Sequence, residues 1–225
     1  MKLYNPSFVY ELASPGPVVG LDEAGCGCWA GPVVAGCVFL KPTMDPGLLS
    51  QLHDSKILSK TKREEIFALL TNHPDVLYGV GEASVQEIDH LNIRKAAMLA
   101  MQRAYQILSF KAGMALVDGT TSPLLDCPTK MLIKGDQKSY SIAAASIIAK
   151  VTRDKVMENL AVEYPAYQWH KNAGYGTRDH QQGLKNAGIS PHHRRSYKPI
   201  QLILDLEKKV EKMLAPEQLE LYFKD

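Results

Sequence analysis

Three short apolar runs in this 225-residue chain end on acids. Residues 18–21 run into Asp22 and Glu23, residues 114–117 into Asp118, and residues 131–133 into Lys134-Gly135-Asp136. In open α/β sheets the strand ends are where ligands bind, so acids placed there converge on one site. Clustered carboxylates repel and raise one another's pKa, and a divalent cation removes that conflict. Oxygen-only donors select Mg²⁺ or Mn²⁺ over zinc. One acid in such a place is usually a strand terminator or a helix cap, and three repeats of the pattern favour a shared site. Asp22 and Glu23 would face opposite sides of a regular strand. Sharing a site therefore requires the strand to end or bulge there, and Gly25-Cys26-Gly27 supplies the turn. This Gly-x-Gly lacks the third glycine of a dinucleotide fingerprint, but it would bring backbone N–H groups close to a ligand.

The elements that must carry these acids are legible as alternating apolar patterns. Short runs at 17–21, 32–40, 76–80, 114–117 and 131–133 read as strands. Helical spacing marks 60–71, with Ser59 as N-cap, and also 93–110, 141–163 and 199–214. In the last of these, Ile203, Leu206 and Val210 form the apolar face and lysines the other. Clustered strands followed by alternating strands and helices suit a mixed sheet with helices packed on it, an α/β architecture. The alanines at 143, 144, 145 and 149 suit close helix–sheet packing rather than ligand contact.

With 45% hydrophobic and 22% charged residues, the composition excludes a disordered or low-complexity chain. No apolar run approaches the ~20 residues of a membrane span, and the N-terminus lacks a secretory pattern. Cys26, Cys28, Cys37 and Cys127 have no zinc-finger spacing and read as reduced, buried or tolerated thiols of a cytoplasmic protein.

Several segments, in order, resemble the ribonuclease HII family over roughly residues 17–199. They are Gly20-Leu-Asp-Glu-Ala-Gly-Cys-Gly27 with Ala30-Gly-Pro-Val-Val34, His53-Asp-Ser-Lys56, Ile88-Asp-His-Leu-Asn-Ile93, Val117-Asp-Gly119 and Lys134-Gly-Asp136. The alanine-rich 141–154, Lys171-Asn-Ala-Gly-Tyr-Gly-Thr177 and His193-Arg-Arg-Ser196 complete the series. The resemblance implies a ribonuclease H-like, mixed five-stranded sheet flanked by helices. Residues 1–198 would be the catalytic domain, and 199–225 a C-terminal helical extension and tail. It implies hydrolysis of the RNA strand of RNA–DNA hybrids and cleavage 5′ of single ribonucleotides in duplex DNA. The metal-binding carboxylates fall on Asp22, Glu23, Asp118 and Asp136. The implied chemistry uses two Mn²⁺ or Mg²⁺ ions, with Asp22 anchoring both and Asp136 completing the second site, and leaves 5′-phosphate and 3′-hydroxyl ends. Sensing of the ribose 2′-hydroxyl, the group that separates RNA from DNA, falls on Gly25, Cys26, Gly27 and Tyr175. Position 26 departs from the pattern, because the family usually has Arg there. Backbone N–H groups survive that change, so weaker binding or looser junction specificity is expected rather than lost chemistry. Lys56, Lys150 and Arg153 are the candidates to hold backbone phosphates, and His193-Arg194-Arg195 offers further cations.

The tail residues Gln218, Leu219, Leu221, Tyr222 and Phe223 resemble a sliding-clamp binding peptide. The competing readings are a hybrid-binding, clamp-associated module with impaired catalysis and a nuclease that no longer demands a ribonucleotide. A monomer without a membrane partner is expected. The net charge of +2 hides a segregation: residues 130–198 hold 12 Lys and Arg against 5 Asp and Glu. That stretch reads as a duplex-binding half.

Overall fold

A computed structural model of the chain describes residues 5–53 and 55–213. The clamp-like segment 218–223 lies outside them. Five strands, β1 (Val18–Ala24), β2 (Val33–Leu40), β3 (Val76–Ala83), β4 (Met114–Asp118) and β5 (Thr129–Leu132), form one sheet in the order β3-β2-β1-β4-β5. The β3-β2-β1 part is antiparallel, whereas β4 and β5 run parallel to β1. The helices are α1 (Val9–Leu12), α2 (Pro46–Leu49), α3 (Lys60–Thr71), α4 (Val85–Leu91), α5 (Ile93–Gln106), α6 (Tyr140–Glu163), α7 (Trp169–Asn172), α8 (Arg178–Ala187) and α9 (Lys198–Met213). Among the described residues no helix is long and apolar enough to cross a membrane.

Strand alternation divides the core in two. Val19 and Leu21 of β1, with Val33, Ala35 and Cys37 of β2, pack against Ala97, Ala100, Met101 and Ala104 of α5. On the opposite face Val38 and Leu40 meet Ala143, Ala144, Ala145 and Ile147 of α6. The alanines are fully buried, as expected for close packing. The strands answer them with glycine: a Cβ on Gly20 would lie 2.2 Å from the Ser141 carbonyl carbon, so α6 rests directly on β1. The N-terminus of α6 is tied to the start of the chain through Glu11. Its buried carboxylate accepts from Ser139 Oγ at 2.7 Å, Ser141 N at 3.0 Å and Ser141 Oγ at 2.7 Å.

Several expectations need correction. β1 does not stop at Leu21 but runs through both acids to Ala24, because β2 continues to pair with it there. β5 begins at Thr129 and releases Ile133, which is exposed. The helix expected over 93–110 ends at Gln106. Helix α8 was not anticipated; a short amphipathic segment begun by the Thr177 cap carries too few turns to stand out. In α9 Ile203 packs on the cluster around Trp169 and Ile200, whereas Leu206 and Val210 are exposed, because the helix runs off the body of the protein.

Candidate active site

The acids meet because of strand register. Leu21 of β1 pairs with Val117 of β4, so the next residues, Asp22 and Asp118, stand side by side where the parallel pairing ends. The neighbouring strand is then ~4.8 Å away. Asp22 continues the α6-facing set of Val18 and Gly20, and Glu23 the α5-facing set of Val19 and Leu21. The strand neither ends nor bulges between them; β2 still pairs with both residues, and the two carboxylates reach one region from opposite faces of β1 where its pairing with β4 has ended. Asp22 Oδ1 turns back to accept from the Glu23 N–H at 2.7 Å. Asp118 Oδ1 accepts from the Gly135 N–H at 2.6 Å, which draws the turn carrying Asp136 to the end of β4.

Electrostatics records this gathering. Burial, then the charges of Glu23 and Asp118, and more weakly that of Asp136, raise the Asp22 carboxyl well above the usual range. Glu23 is raised by burial and by Asp118, against a hydrogen bond from Cys26 and the charge of Lys56. The acids exceed the cations here, which is the imbalance a divalent ion corrects. All the donors are carboxylate oxygens, the set that suits Mg²⁺ or Mn²⁺. Among the described residues, no three His, Cys, Asp or Glu side chains are close enough to enclose a cation as they stand. All four cysteines are free thiols.

Glu23, Cys26 and Asp118 open onto a cleft of about 400 Å³ completed by Arg94, Met98 and Thr120. Arg94, at the N-terminus of α5, was missed by the sequence reading; its proximity arises only when α5 packs beside β1. The Cys26 thiol donates to Glu23 Oε1 at 3.4 Å, and burial with the nearby Glu23 pushes its pKa up, so it remains a thiol. A Cβ built on Gly27 would lie 3.6 Å from Tyr175 Cε1, so loop 25–27 and the Tyr175 ring are neighbours. Lys56 acts electrostatically on both Glu23 and Tyr175. Its loop is anchored by the Ser55–Ser146 hydroxyl pair at 2.7 Å and by Arg63, which donates to the Ser55 and Leu58 carbonyls.

The other expected phosphate ligands are placed differently. Arg153 is 1% exposed, and its guanidinium donates to the carbonyls of Pro32 at 3.0 Å, Ala173 at 2.8 Å and Ala30 at 3.1 Å. It is an internal clamp, and its path under the loop leaves no room for a side chain at Gly25, where φ is +104°. Arg194 is also fully buried among carbonyls. Lys150 is partly exposed and donates to Asp154 at 2.7 Å. Spacing along one helix cannot distinguish a cation facing solvent from one inserted beneath a loop 120 residues away.

Tyr175 stands on a buried imidazole pair. His193 Nδ1 accepts from the Ser190 N–H at 2.9 Å, so its Nε2 carries the proton and donates to His180 Nε2 at 3.0 Å. Trp169 Nε1 also donates to that nitrogen at 3.1 Å, and His180 Nδ1 donates to the Tyr175 carbonyl at 2.9 Å. Both histidines are held neutral; burial is the main cause, and it takes His193 down to about 3.

Comparison with known proteins agrees with the site's composition. The family model of ribonuclease HII matches residues 19–200. Ribonuclease HII of Gluconobacter oxydans is 50% identical over 202 residues, covering 90% of this chain and 98% of that protein. The crystal structure of ribonuclease H2 from Pyrococcus horikoshii superposes with a TM-score of 0.69 at 27% identity, over 86% of this chain and 99% of that one. Ribonuclease HII in the PCNA complex from Archaeoglobus fulgidus gives a TM-score of 0.65 at 27% identity, over 81% and 95% of the two chains. A sheet that gathers acids at one end, a matching family model over most of the length and half-identical relatives agree: the chain belongs to the ribonuclease HII family and is a ribonuclease H hydrolase.

Proposed function

We propose that this ribonuclease H cuts 5′ of single ribonucleotides embedded in duplex DNA as well as within the RNA strand of hybrids, leaving 5′-phosphate and 3′-hydroxyl ends. The observation that carries the reading is the placement of Asp22, Glu23, Asp118 and Asp136 at one sheet end beside loop 25–27 and the Tyr175 ring. Asp22, Glu23, Asp118 and Asp136 would hold two divalent cations, Mn²⁺ or Mg²⁺. Bound there, such ions would lower the pKa of a water so that hydroxide is available to attack phosphorus, and would offset charge on the leaving oxygen. The protein's own part is placement. Lys56 offers a positive charge beside Glu23 and Tyr175, where a scissile phosphate would lie. Gly27 leaves the backbone open to close approach, and the Tyr175 ring offers a stacking surface with a hydroxyl able to bond ribose.

The test is cleavage of three labelled duplexes, one with a single ribonucleotide, one all-DNA and one RNA–DNA hybrid, each with Mg²⁺ or Mn²⁺. Cutting of the first and third alone supports the proposal. Cutting of the all-DNA duplex, or none at all, overturns it. Asp118→Asn keeps the acceptor for the Gly135 N–H and relieves charge on Asp22. It should abolish cleavage without lowering the melting temperature; retained cleavage argues against a role for this carboxylate.

We further propose that segment 218–223 docks on a sliding clamp. The support is its Gln-Leu-Glu-Leu-Tyr-Phe sequence and the clamp complex of the Archaeoglobus relative.

A further inference from the structure

The carbonyl of Cys26 is held from beneath by two side chains of the 194–197 segment. Arg194 Nη1 donates to it at 3.2 Å and the Tyr197 hydroxyl at 2.5 Å. The two donors are themselves linked, because Arg194 Nη1 also donates to the Tyr197 oxygen at 2.9 Å, and the guanidinium lies 5.2 Å from the centre of the Tyr197 ring. Arg194 is fully buried and spends its other N–H groups on the carbonyls of Gly31 at 3.0 Å and Pro32 at 3.1 Å. The segment that carries both donors is fixed on two sides. The Arg194 N–H donates to the Trp29 carbonyl at 2.8 Å. Asp89 of α4 accepts from Arg195 N at 2.9 Å, Ser196 N at 2.8 Å and Ser196 Oγ at 2.6 Å.

In a trans peptide the C=O and the following N–H point in opposite directions. A Cys26 carbonyl pulled inward therefore turns the Gly27 N–H outward, at a residue that neighbours the Tyr175 ring. We infer that Arg194 and Tyr197 are positioning residues for ribonucleotide recognition: by gripping the Cys26 carbonyl they aim the Gly27 N–H at the ribose 2′-hydroxyl. The inference rests on the reading that loop 25–27 and Tyr175 contact the ribose. It also gives a reason why Cys can stand at position 26, since the grip is on the main chain and is indifferent to the side chain above it.

Tyr197→Phe tests this with the smallest change, because Arg194 keeps its own bond to Cys26 and the ring still fills its space. The measurements on the full chain are kcat and KM for a duplex with one ribonucleotide, and Ki for the matched all-DNA duplex as a competitor. The melting temperature reports folding. Tyr197→Phe should lower kcat/KM about 5–10-fold, the size of one misaligned neutral hydrogen bond, and leave Ki within about twofold. Gly27→Ala serves as the second variant. Its methyl meets Tyr175 Cε1 at an ordinary 3.6 Å, so it folds, yet it stands where the ribose must approach. Losses in kcat/KM for both variants at unchanged Ki support the inference. Loss with Gly27→Ala but not with Tyr197→Phe overturns the inference and leaves the loop reading standing. Wild-type kcat/KM with Gly27→Ala overturns the loop reading and the inference with it. Equal loss in kcat/KM and Ki with Tyr197→Phe shows general duplex binding or scaffolding, and also overturns the inference.

Discussion

Arg153→Lys distinguishes an internal clamp from a phosphate ligand, because it keeps the charge and removes the fork. The Arg153 guanidinium, in a site that is 1% exposed, donates to the carbonyls of Ala30, Pro32 and Ala173, of which that of Pro32 also accepts from Arg194. A Lys ammonium is a compact charge on a thinner stem and cannot span three acceptors that a planar fork reaches from three nitrogens. Leaving one or two buried carbonyls unpaired costs about 1–3 kcal/mol each, so the variant should lose about 1–6 kcal/mol of stability. Urea unfolding at neutral pH measures this. A parallel salt titration of binding to a ribonucleotide-containing duplex should keep its wild-type slope, since no phosphate contact has been removed. If Arg153→Lys keeps wild-type stability, and Arg153→Gln flattens the salt slope by about one counterion, the guanidinium reaches phosphate and the clamp argument is wrong.

Further outcomes are expected from other parts of the molecule. Cys26→Arg places a fixed charge at the mouth of the cleft beside Glu23 and should lower KM about 3–10-fold, as one partly exposed charged contact does; an unchanged KM or lost activity refutes it. His193 has a folded pKa near 3 against about 6.5 unfolded, so the unfolded chain binds more protons between these values. Its contribution is complete above about pH 6.5 and falls as pH drops, by about 2 kcal/mol at pH 5. His193→Gln should flatten that part of the stability–pH curve in urea unfolding, and identical slopes would show that the imidazole titrates as freely folded as unfolded. Deleting residues 216–225 should abolish co-elution with a sliding clamp and spare hybrid cleavage; retained co-elution would place the contact elsewhere.

The acids, the strands beneath them and the alanine-rich helix were all legible in the sequence. Each is a local pattern: an apolar run broken by a carboxylate, a period of two, a run of small side chains. The convergence of Asp22 and Asp118 was inferable because parallel strands in register place their ends together. What went unread depends on contacts between distant segments. Arg153, Arg194 and Lys150 carry the same charge in the sequence, yet one sits beneath loop 25–32, one beneath Cys26, and one beside Asp154. With two of its cations turned inward, the basic half at 130–198 presents less charge to a duplex than its composition suggests.

The sequence by itself determined the acid set, the alternation of strands and helices, and the family, because these reside in residue type and order. Only the tertiary structure decided how Asp22 and Glu23 share a region without a break in β1, and which cations face outward. It also decided that a buried His pair, a guanidinium and a tyrosine hydroxyl hold the carbonyls of Tyr175 and Cys26. The physical reason is that a buried donor must find an acceptor wherever the fold brings one, and for the Cys26 carbonyl that partner is chosen by packing between segments more than a hundred residues apart.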